Sequence, residues 1–174
     1  MISPPNSLSY GFMAHSGIPD FLACLELKSL REPHLEAIYS IEKQVYEEPW
    51  TKELLGESLK APMTYSVGLF RAKEIVAYAI YQVVFSEGHL LNLAVHSDFQ
   101  SQGVGSKLLD CLLQDSQRRG AMNFFLEVRP SNTTARKLYE KRGFKPLMIR
   151  ERYYANGEAA LIMVLDFMSS ASKE

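Results

Sequence analysis

The stretch VHSDFQSQGVGSKLL, residues 95–109, ends an apolar run, crosses a polar loop with two glycines and enters an amphipathic segment. The first four N–H groups of a helix have no partner inside the helix, so a helix start attracts anions. Glycine at positions 103 and 105 allows close approach to this backbone, and Ser106 and Lys107 add a hydroxyl and a charge. The loop therefore predicts an anion site, although a tight strand-to-helix joint explains the two glycines equally well.

Two known phosphate-binding motifs can be compared with this loop. A Walker loop reads GxxxxGK(S/T), and it is excluded because the residue before Lys107 is not glycine. The dinucleotide fingerprint GxGxxG matches at Gly103 and Gly105, and Glu127 follows about 24 residues later. Leu108 replaces the third glycine of that fingerprint. A nicotinamide enzyme therefore remains a competing interpretation of the loop.

Hydrophobic periodicity around the loop predicts one mixed α+β domain over residues 23–168, with a flexible arm at 1–22 and a tail at 169–174. Three alternating runs between residues 64 and 95, joined by short polar segments, predict an antiparallel meander. The order of strand, helix and strand that follows predicts a parallel crossover. The other predicted strands are 23–30, 122–128, 145–154 and 159–167, the last two joined by an Asn-Gly turn, and the predicted helices are 31–46, 51–60, 103–118 and 132–142.

Composition and charge argue against several classes of function. With 47% hydrophobic and 22% charged residues, the chain is typical of a globular protein, and no apolar run reaches the roughly 18 residues of a membrane span. A formal net charge of -1 gives no reason to expect direct contact with nucleic acid. The two cysteines and four histidines lack metal-ligand spacing, so we expect no metal and a reduced, cytoplasmic location. The sequence does not indicate an oligomeric state.

Two segments together resemble the Gcn5-related N-acetyltransferase (GNAT) superfamily: LLNLAVHSDFQSQGVGSKLL (90–109) and LEVRPSNTTARKLYEKRGF (126–144). The pyrophosphate loop of that superfamily reads Q/R-x-x-G-x-G/A, which corresponds here to Gln100, Gly103 and Gly105. Within the superfamily, the chain is most similar to the RimI-type ribosomal-protein-alanine N-acetyltransferases, which share the second segment and an upstream Pro-Trp pair. The resemblance spans residues 25–165. It implies a GNAT-like α+β fold with a six- to seven-stranded, mostly antiparallel mixed sheet, about four helices and a splayed parallel strand pair.

This resemblance implies that acetyl-coenzyme A is the co-substrate and lies between the two splayed strands. The amides of the loop would hold its pyrophosphate, and its pantetheine arm would bond to the free edge of strand 90–95. Asn132, a favoured residue at a helix N-cap, would add a further contact. The implied coenzyme-binding residues are Leu93, Ala94, Val95, Gln100, Ser101, Gln102, Gly103, Val104, Gly105, Ser106, Lys107 and Asn132.

The chemistry of acetyl transfer favours an N-terminal amine as the acceptor. An amine attacks a thioester only when it is neutral. Deprotonation at pH 7 costs roughly 1 to 1.4 kcal/mol for an α-amine but about 4.6 kcal/mol for a lysine. The N-terminus of a protein, with a ribosomal protein beginning with alanine favoured by the resemblance, is therefore the predicted acceptor. A lysine or a small-molecule amine is the alternative acceptor, and a sensor that binds acyl-coenzyme A without turnover is a competing function.

Two residues are candidates for the proton transfers. Glu127 ends an apolar strand, where desolvation would raise its pKa, and the matching glutamate of RimI-type enzymes takes the amine proton. The alternative for Glu127 is a surface ion pair with Arg129. The resemblance makes the hydroxyl of Tyr139 the acid that protonates the departing thiolate, with a thiol pKa close enough for nearly balanced transfer. Core packing alone would also explain an aromatic residue at position 139.

Three aromatic residues are expected around the acceptor peptide. Trp50 follows Pro49 in the loop between the first two predicted helices, and the resemblance makes Tyr153 and Tyr154 a wall of the peptide groove. The acidic pair at 47 and 48 would attract a cationic N-terminus, or would simply be solvated.

The chain departs from the family pattern at two places. RimI-type chains commonly read E-D-A before the last strand, whereas Glu158 is followed here by Ala159 and Ala160. This departure concerns peptide specificity more than catalysis. The long N-terminal arm is the second departure, and an alternative start at Met13 or a further contact would explain it.

Overall fold

The computed structural model describes residues 20–170, which form seven strands, six α-helices and two short 3-10 turns at Glu32–His34 and Ser97–Phe99. The strands are β1 (Glu26–Ser29), β2 (Thr64–Arg71), β3 (Glu74–Val84), β4 (Glu87–Val95), β5 (Asn123–Val128), β6 (Lys145–Arg150) and β7 (Ala160–Asp166). The helices are α1 (Asp20–Ala23), α2 (Leu35–Val45), α3 (Lys52–Ser58), α4 (Val104–Arg118), α5 (Thr133–Glu140) and α6 (Phe167–Ser170).

One mixed sheet carries all seven strands in the order β1-β2-β3-β4-β5-β7-β6. The strands β2, β3 and β4 pair antiparallel through two-residue joints, so the predicted meander is confirmed. Residues 75–81 of β3 are all buried, because α2 covers one face of this central strand and α4 covers the other. Tyr78 and Ile80 pack with the α2 residues Ile38 and Ile41. The predicted α+β class and mixed, mostly antiparallel sheet are confirmed.

The parallel strands β4 and β5 pair over a short stretch and then separate. In the described chain their pairing is confined to Glu87–His89 of β4 and Asn123–Phe125 of β5. Beyond His89, β4 keeps its ladder with β3, while β5 continues along β7. The predicted splay is therefore present, and the edge of β4 that faces β5 is open over its second half.

Local geometry explains where the predicted strands and helices end. Thr51 caps α3 by accepting a hydrogen bond from the backbone N–H of Leu54 at 3.2 Å, as predicted. The prediction of a strand up to Tyr154 is wrong, because β6 ends at Arg150 and Arg152 adopts a positive φ of 53°. The Asn-Gly turn therefore lies inside a longer loop, residues 151–159, where Gly157 donates to the Tyr154 carbonyl at 2.8 Å.

The two chain ends differ from the predicted boundaries. Residues 20–22, which the sequence assigned to the arm, form α1 together with Ala23. The Phe21 ring stacks on Phe99 at 5.7 Å, and Leu22 packs against the core, so burial of apolar surface explains the helix. The rest of the predicted arm, residues 1–19, lies outside the described residues. Of the predicted tail, residues 169 and 170 belong to α6 and the remainder is outside the described range. None of the helices within residues 20–170 is long and apolar enough to cross a membrane.

We expect Gly88→Ala to destabilise the fold by about 1–3 kcal/mol, since a Cβ at this position of β4 would overlap the buried Phe124 ring. The matched change Gly56→Ala in α3 meets Leu35 at an ordinary 3.5 Å and should raise stability by about 0.5–1 kcal/mol. Urea unfolding of both variants measures the difference. A Gly88→Ala protein as stable as the parent would show that β4 and the Phe124 ring are not packed as described.

Candidate active site

The glycine loop leaves a row of unpaired backbone donors at the start of α4. Gly103 is the N-cap of this 15-residue helix and has a φ of +84°, which favours glycine. Within residues 20–170, no acceptor bonds to the backbone N–H groups of residues 102–106. The side chains of Gln100 and Gln102 brace the loop by donating to the carbonyls of Val95 at 3.1 Å and Asp98 at 2.8 Å. These amides and the partial positive charge of the helix start together suit an anion.

The side chains of the loop mostly point away from this row of amides. Val104 is buried in the core, so it offers the site only its backbone. The ammonium of Lys107 donates to the main-chain carbonyls of Leu22 and Leu25, and its N–H donates to the Gly103 carbonyl at 3.0 Å. This differs from the expectation that Lys107 adds its charge to the anion site. Because α1 places these carbonyls beside α4, the lysine instead fastens α1 to the loop.

The open edge of β4 contains a contact that sequence reasoning missed. The hydroxyl of Tyr46 donates to the Leu93 carbonyl at 2.6 Å, and burial raises the pKa of Tyr46, so the hydroxyl stays neutral. Tyr46 is the C-cap of α2 and has extended backbone, so helical periodicity could not have identified it. Ala94 and Val95 continue the ladder with β3, at Tyr78 and Ala77.

Tyr139 lies on the inward face of α5, in contact with the Phe144 ring at 5.7 Å. Burial raises the pKa of Tyr139 above its usual range, and the nearby Tyr154 adds to the effect. No residue between 20 and 170 forms a hydrogen bond with the Tyr139 hydroxyl, so it remains available to a bound molecule. At the start of the same helix, the side-chain oxygen of Asn132 accepts from the Ala135 N–H at 3.0 Å, which confirms the predicted N-cap.

A cleft of about 700 Å³ brings together most of the residues predicted for catalysis and peptide binding. Glu127 from β5 and Trp50 from the α2–α3 loop line this cleft together with Tyr153 and Tyr154 from the β6–β7 loop. Tyr139 is not among the lining residues. The sequence did not predict the other side chains of the lining: Glu87, His89, Leu90, Leu91, Phe125, Leu126, Leu147, Met148, Arg150 and Ile162.

Glu127 is paired with Arg150, not with Arg129 as the alternative interpretation expected. The guanidinium of Arg150, the last residue of β6, lies 2.7 Å from a carboxylate oxygen of Glu127. A hydrogen bond with Glu127 raises the pKa of the Tyr153 hydroxyl. The Glu127 side chain is 34% exposed, so the pair is open to the cleft. The cleft therefore contains a carboxylate proton acceptor held in place by a cation and a phenol.

Arg129 connects the two loops that border the cleft. It binds Glu48 of the α2–α3 loop at 3.2 Å and Glu158 of the β6–β7 loop at 3.2 Å, with its guanidinium 3.7 Å from the centre of the Tyr154 ring. Hydrogen bonding from Ser131 and Arg129 lowers the pKa of Glu158. The expectation that Glu48 attracts a cationic N-terminus is therefore not supported, since its carboxylate already pairs with Arg129.

A buried carboxylate fixes the position of Trp50. Glu42 of α2 is 1% exposed. Its carboxylate accepts hydrogen bonds from the backbone N–H of Trp50 at 2.9 Å, from the side-chain amide of Asn92 at 3.1 Å and from the Tyr78 hydroxyl. Burying a carboxylate is costly unless donors surround it, and these three donors supply that compensation. Sequence analysis missed Glu42, although position 42 follows Ile38 by four residues and so falls on the inward face of α2.

Comparison with known proteins supports the resemblance to acetyltransferases. The model of the acetyltransferase (GNAT) family matches residues 35–144. The chain is 37% identical over 142 residues to the [ribosomal protein bS18]-alanine N-acetyltransferase of Escherichia coli strain K12, covering 80% of this chain and 95% of the relative. The enzyme of the same name from Haemophilus ducreyi is 36% identical over 143 residues, covering 80% and 98%.

Solved structures share the fold. The crystal structure of the Escherichia coli ribosomal-protein-S18-alanine N-acetyltransferase aligns with a TM-score of 0.77 at 36% identity, over 82% of this chain and 93% of that chain. An Arabidopsis thaliana protein in complex with acetyl-CoA aligns with a TM-score of 0.76 at 13% identity, over 83% and 99%, which indicates a common fold.

These findings confirm the predicted resemblance, the enzyme class and acetyl-coenzyme A as co-substrate, and they exclude the nicotinamide enzyme. The loop at the start of α4 and the splayed strands occupy the positions that the resemblance implied. The chain belongs to the acetyltransferase (GNAT) family.

Proposed function

We propose that this chain transfers the acetyl group of acetyl-coenzyme A to the α-amine of a ribosomal protein that begins with alanine. The observation that carries the proposal is the arrangement around β4 and β5. A row of free amides follows the end of β4, and a cleft containing a carboxylate borders the same two strands. The acceptor is proposed from the relatives of Escherichia coli and Haemophilus ducreyi, whose names specify alanine of ribosomal protein bS18. We place the reaction in the cytoplasm, where ribosomal proteins are available.

The residues of the loop fit the diphosphate of the coenzyme. The amides of residues 102–106 would donate to its oxygens. Ala94 pairs with Tyr78 of β3, so the N–H groups of Leu93 and Val95 on the open edge are the ones that would pair with the pantetheine arm. Asn132 uses its oxygen in the helix cap, so its amide nitrogen is the group left for the coenzyme. Acetyl-coenzyme A supplies an activated thioester, and the protein positions it between the strands.

Glu127 is proposed as the base that takes the proton of the acceptor amine. Its carboxylate faces the cleft beside Trp50 and Tyr153, where an N-terminus would enter. The pairing with Arg150 keeps this carboxylate oriented, and an incoming ammonium group would compete with the guanidinium for the same oxygen atoms. Proton transfer to Glu127 then leaves a neutral amine that is able to attack the thioester.

Tyr139 is proposed to assist the departing sulfur. Its hydroxyl is neutral because burial raises its pKa, and it lacks a hydrogen-bond partner within residues 20–170. A thiolate released beside Tyr139 lies in the same buried surroundings, which raise the pKa of a thiol as well as that of a phenol. Tyr139 is therefore proposed to protonate the departing thiolate as the carbon–sulfur bond breaks, and to regain its proton from water afterwards.

An eight-residue peptide that begins with alanine should release free thiol from acetyl-coenzyme A in the presence of this protein. The same peptide with a blocked N-terminus and an internal lysine should release none, because the lysine amine is about 3 kcal/mol harder to deprotonate at pH 7. A thiol reagent measures both rates. Release from the blocked peptide would contradict the α-amine acceptor, and tight coenzyme binding without release from any amine would indicate a sensor.

Glu127→Gln should lower kcat at pH 7 by about 100-fold or more, which is the usual contribution of a general base. The loss should shrink above about pH 8, since the α-amine is then largely neutral without help. A pH profile of kcat for both proteins measures this effect. The matched variant Glu140→Gln breaks a surface pair with Arg136 and should leave the profile unchanged. A profile for Glu127→Gln that matches the parent at every pH would remove Glu127 from the mechanism.

A further inference from the structure

The active-site cleft continues into a second cleft along the same face of the sheet. This second cleft, of about 510 Å³, is lined by Gln82, Val84, Phe85, Ser86, Glu87, His89 and Leu91. The last three of these residues alternate along β4 and also line the active-site cleft. The two clefts therefore form one groove, here called the acceptor groove, that runs from Glu127 to the turn between β3 and β4.

The far end of the acceptor groove carries an unusual aromatic residue. Phe85 is 95% exposed, and its φ of +53° is the value that a two-residue hairpin turn requires at its first position, as at Ala72 in the turn between β2 and β3. The turn thus holds a large apolar ring in water. Phe85 lines the second cleft together with Val84 and Leu91, and contiguous exposed apolar surface of this kind marks protein contacts.

The floor of the groove is apolar near Glu127 and mixed in the second cleft, where Gln82, Ser86, Glu87 and His89 are polar. The His89 ring stacks on Phe125 at 5.3 Å, and Leu91 is exposed beside them. The carboxylate of Glu87 lies 3.3 Å from the Nε2 atom of His89. The apolar strip of Val84, Phe85 and Leu91 suits an apolar side chain of an extended peptide.

The two directions along the strands from Glu127 differ. Past the end of β5, Arg129 joins the two bordering loops through Glu48 and Glu158. In the other direction, β5 leads back to Asn123, which pairs with Glu87, and from there to Phe85. A chain whose N-terminus lies at Glu127 would therefore leave towards Phe85.

The distance from Glu127 to Phe85 along the strand direction matches the length of a short extended peptide. Glu127 lies four residues beyond Asn123 on β5, and Phe85 lies two residues before Glu87, the partner of Asn123. At about 3.3 Å per residue, these six steps amount to roughly 20 Å along the strand direction. An extended peptide covers the same distance with about six residues.

We infer that the acceptor groove binds the segment of the acceptor protein that follows its N-terminal residue, with an apolar side chain near its sixth or seventh residue resting on Phe85. The inference rests on the proposed function and deepens it. The groove recognises an extended, apolar segment of the acceptor, so selection of the acceptor extends well beyond the first residue. Phe85 is a specificity-determining residue and takes no part in the chemistry.

The test compares a tripeptide with a twelve-residue peptide, both beginning with alanine and the longer one carrying leucine at positions six and seven. Phe85→Asn removes the ring, and asparagine tolerates a positive φ well, so the turn should be retained. For the twelve-residue peptide, this variant should raise KM about tenfold with kcat unchanged. For the tripeptide, kcat/KM should equal that of the parent protein. Met168→Ser, which alters an exposed apolar residue outside the groove lining, is the matched control and should change neither value.

The outcomes separate this inference from the proposed function. Absence of thiol release from both peptides with the parent protein would contradict the proposed function and, with it, the inference. Release from both peptides, with an unchanged KM for the twelve-residue peptide in Phe85→Asn, would overturn the groove alone. An equal rise in KM for the tripeptide would also overturn it, because the tripeptide is too short to reach Phe85.

Discussion

The free N–H groups at the start of α4 are the constraint on which the rest of the site depends. A helix start with unpaired amides needs an acceptor, and within residues 20–170 the protein supplies none for residues 102–106. Gly103 supplies the positive φ at the N-cap of α4. The side chains of Gln100 and Gln102 hold the loop in place by donating to backbone carbonyls. Since the same loop continues from β4, an anion bound there is held at the mouth of the gap between β4 and β5.

Ion pairs arrange the opposite side of the gap. Arg150 orients the carboxylate of Glu127, Arg129 joins the two bordering loops, and buried Glu42 fixes the backbone at Trp50. Isolated surface ion pairs contribute little to stability, so these contacts matter chiefly for position. Together they leave a carboxylate facing the cleft. The proposed chemistry and the proposed acceptor groove both depend on this set of contacts.

The sequence predicted most of the fold because local periodicity and capping determine it. The meander, α4, the Thr51 cap and the Asn132 cap all depend on residues close together in the chain. It also brought Glu127, Trp50, Tyr153 and Tyr154 into one proposed site through a resemblance, and the structure gathers them in one cleft. Sequence analysis missed three contacts, which are Arg150 with Glu127, Lys107 with the Leu22 carbonyl and Glu42 with Asn92. These contacts join residues 23 to 85 positions apart, and periodicity carries no information about such side-chain pairs.

Calorimetric titration with coenzyme A tests the central claim most directly. The parent protein should bind coenzyme A, and Gly105→Val should weaken that binding at least tenfold, because its side chain would enter the space between Val95 of β4 and Leu138 of α5, beside the row of amides. Gly56→Val, a helical glycine in α3 away from the loop, should bind like the parent. Absence of measurable binding by the parent, or unchanged affinity in a folded Gly105→Val protein, would contradict the account.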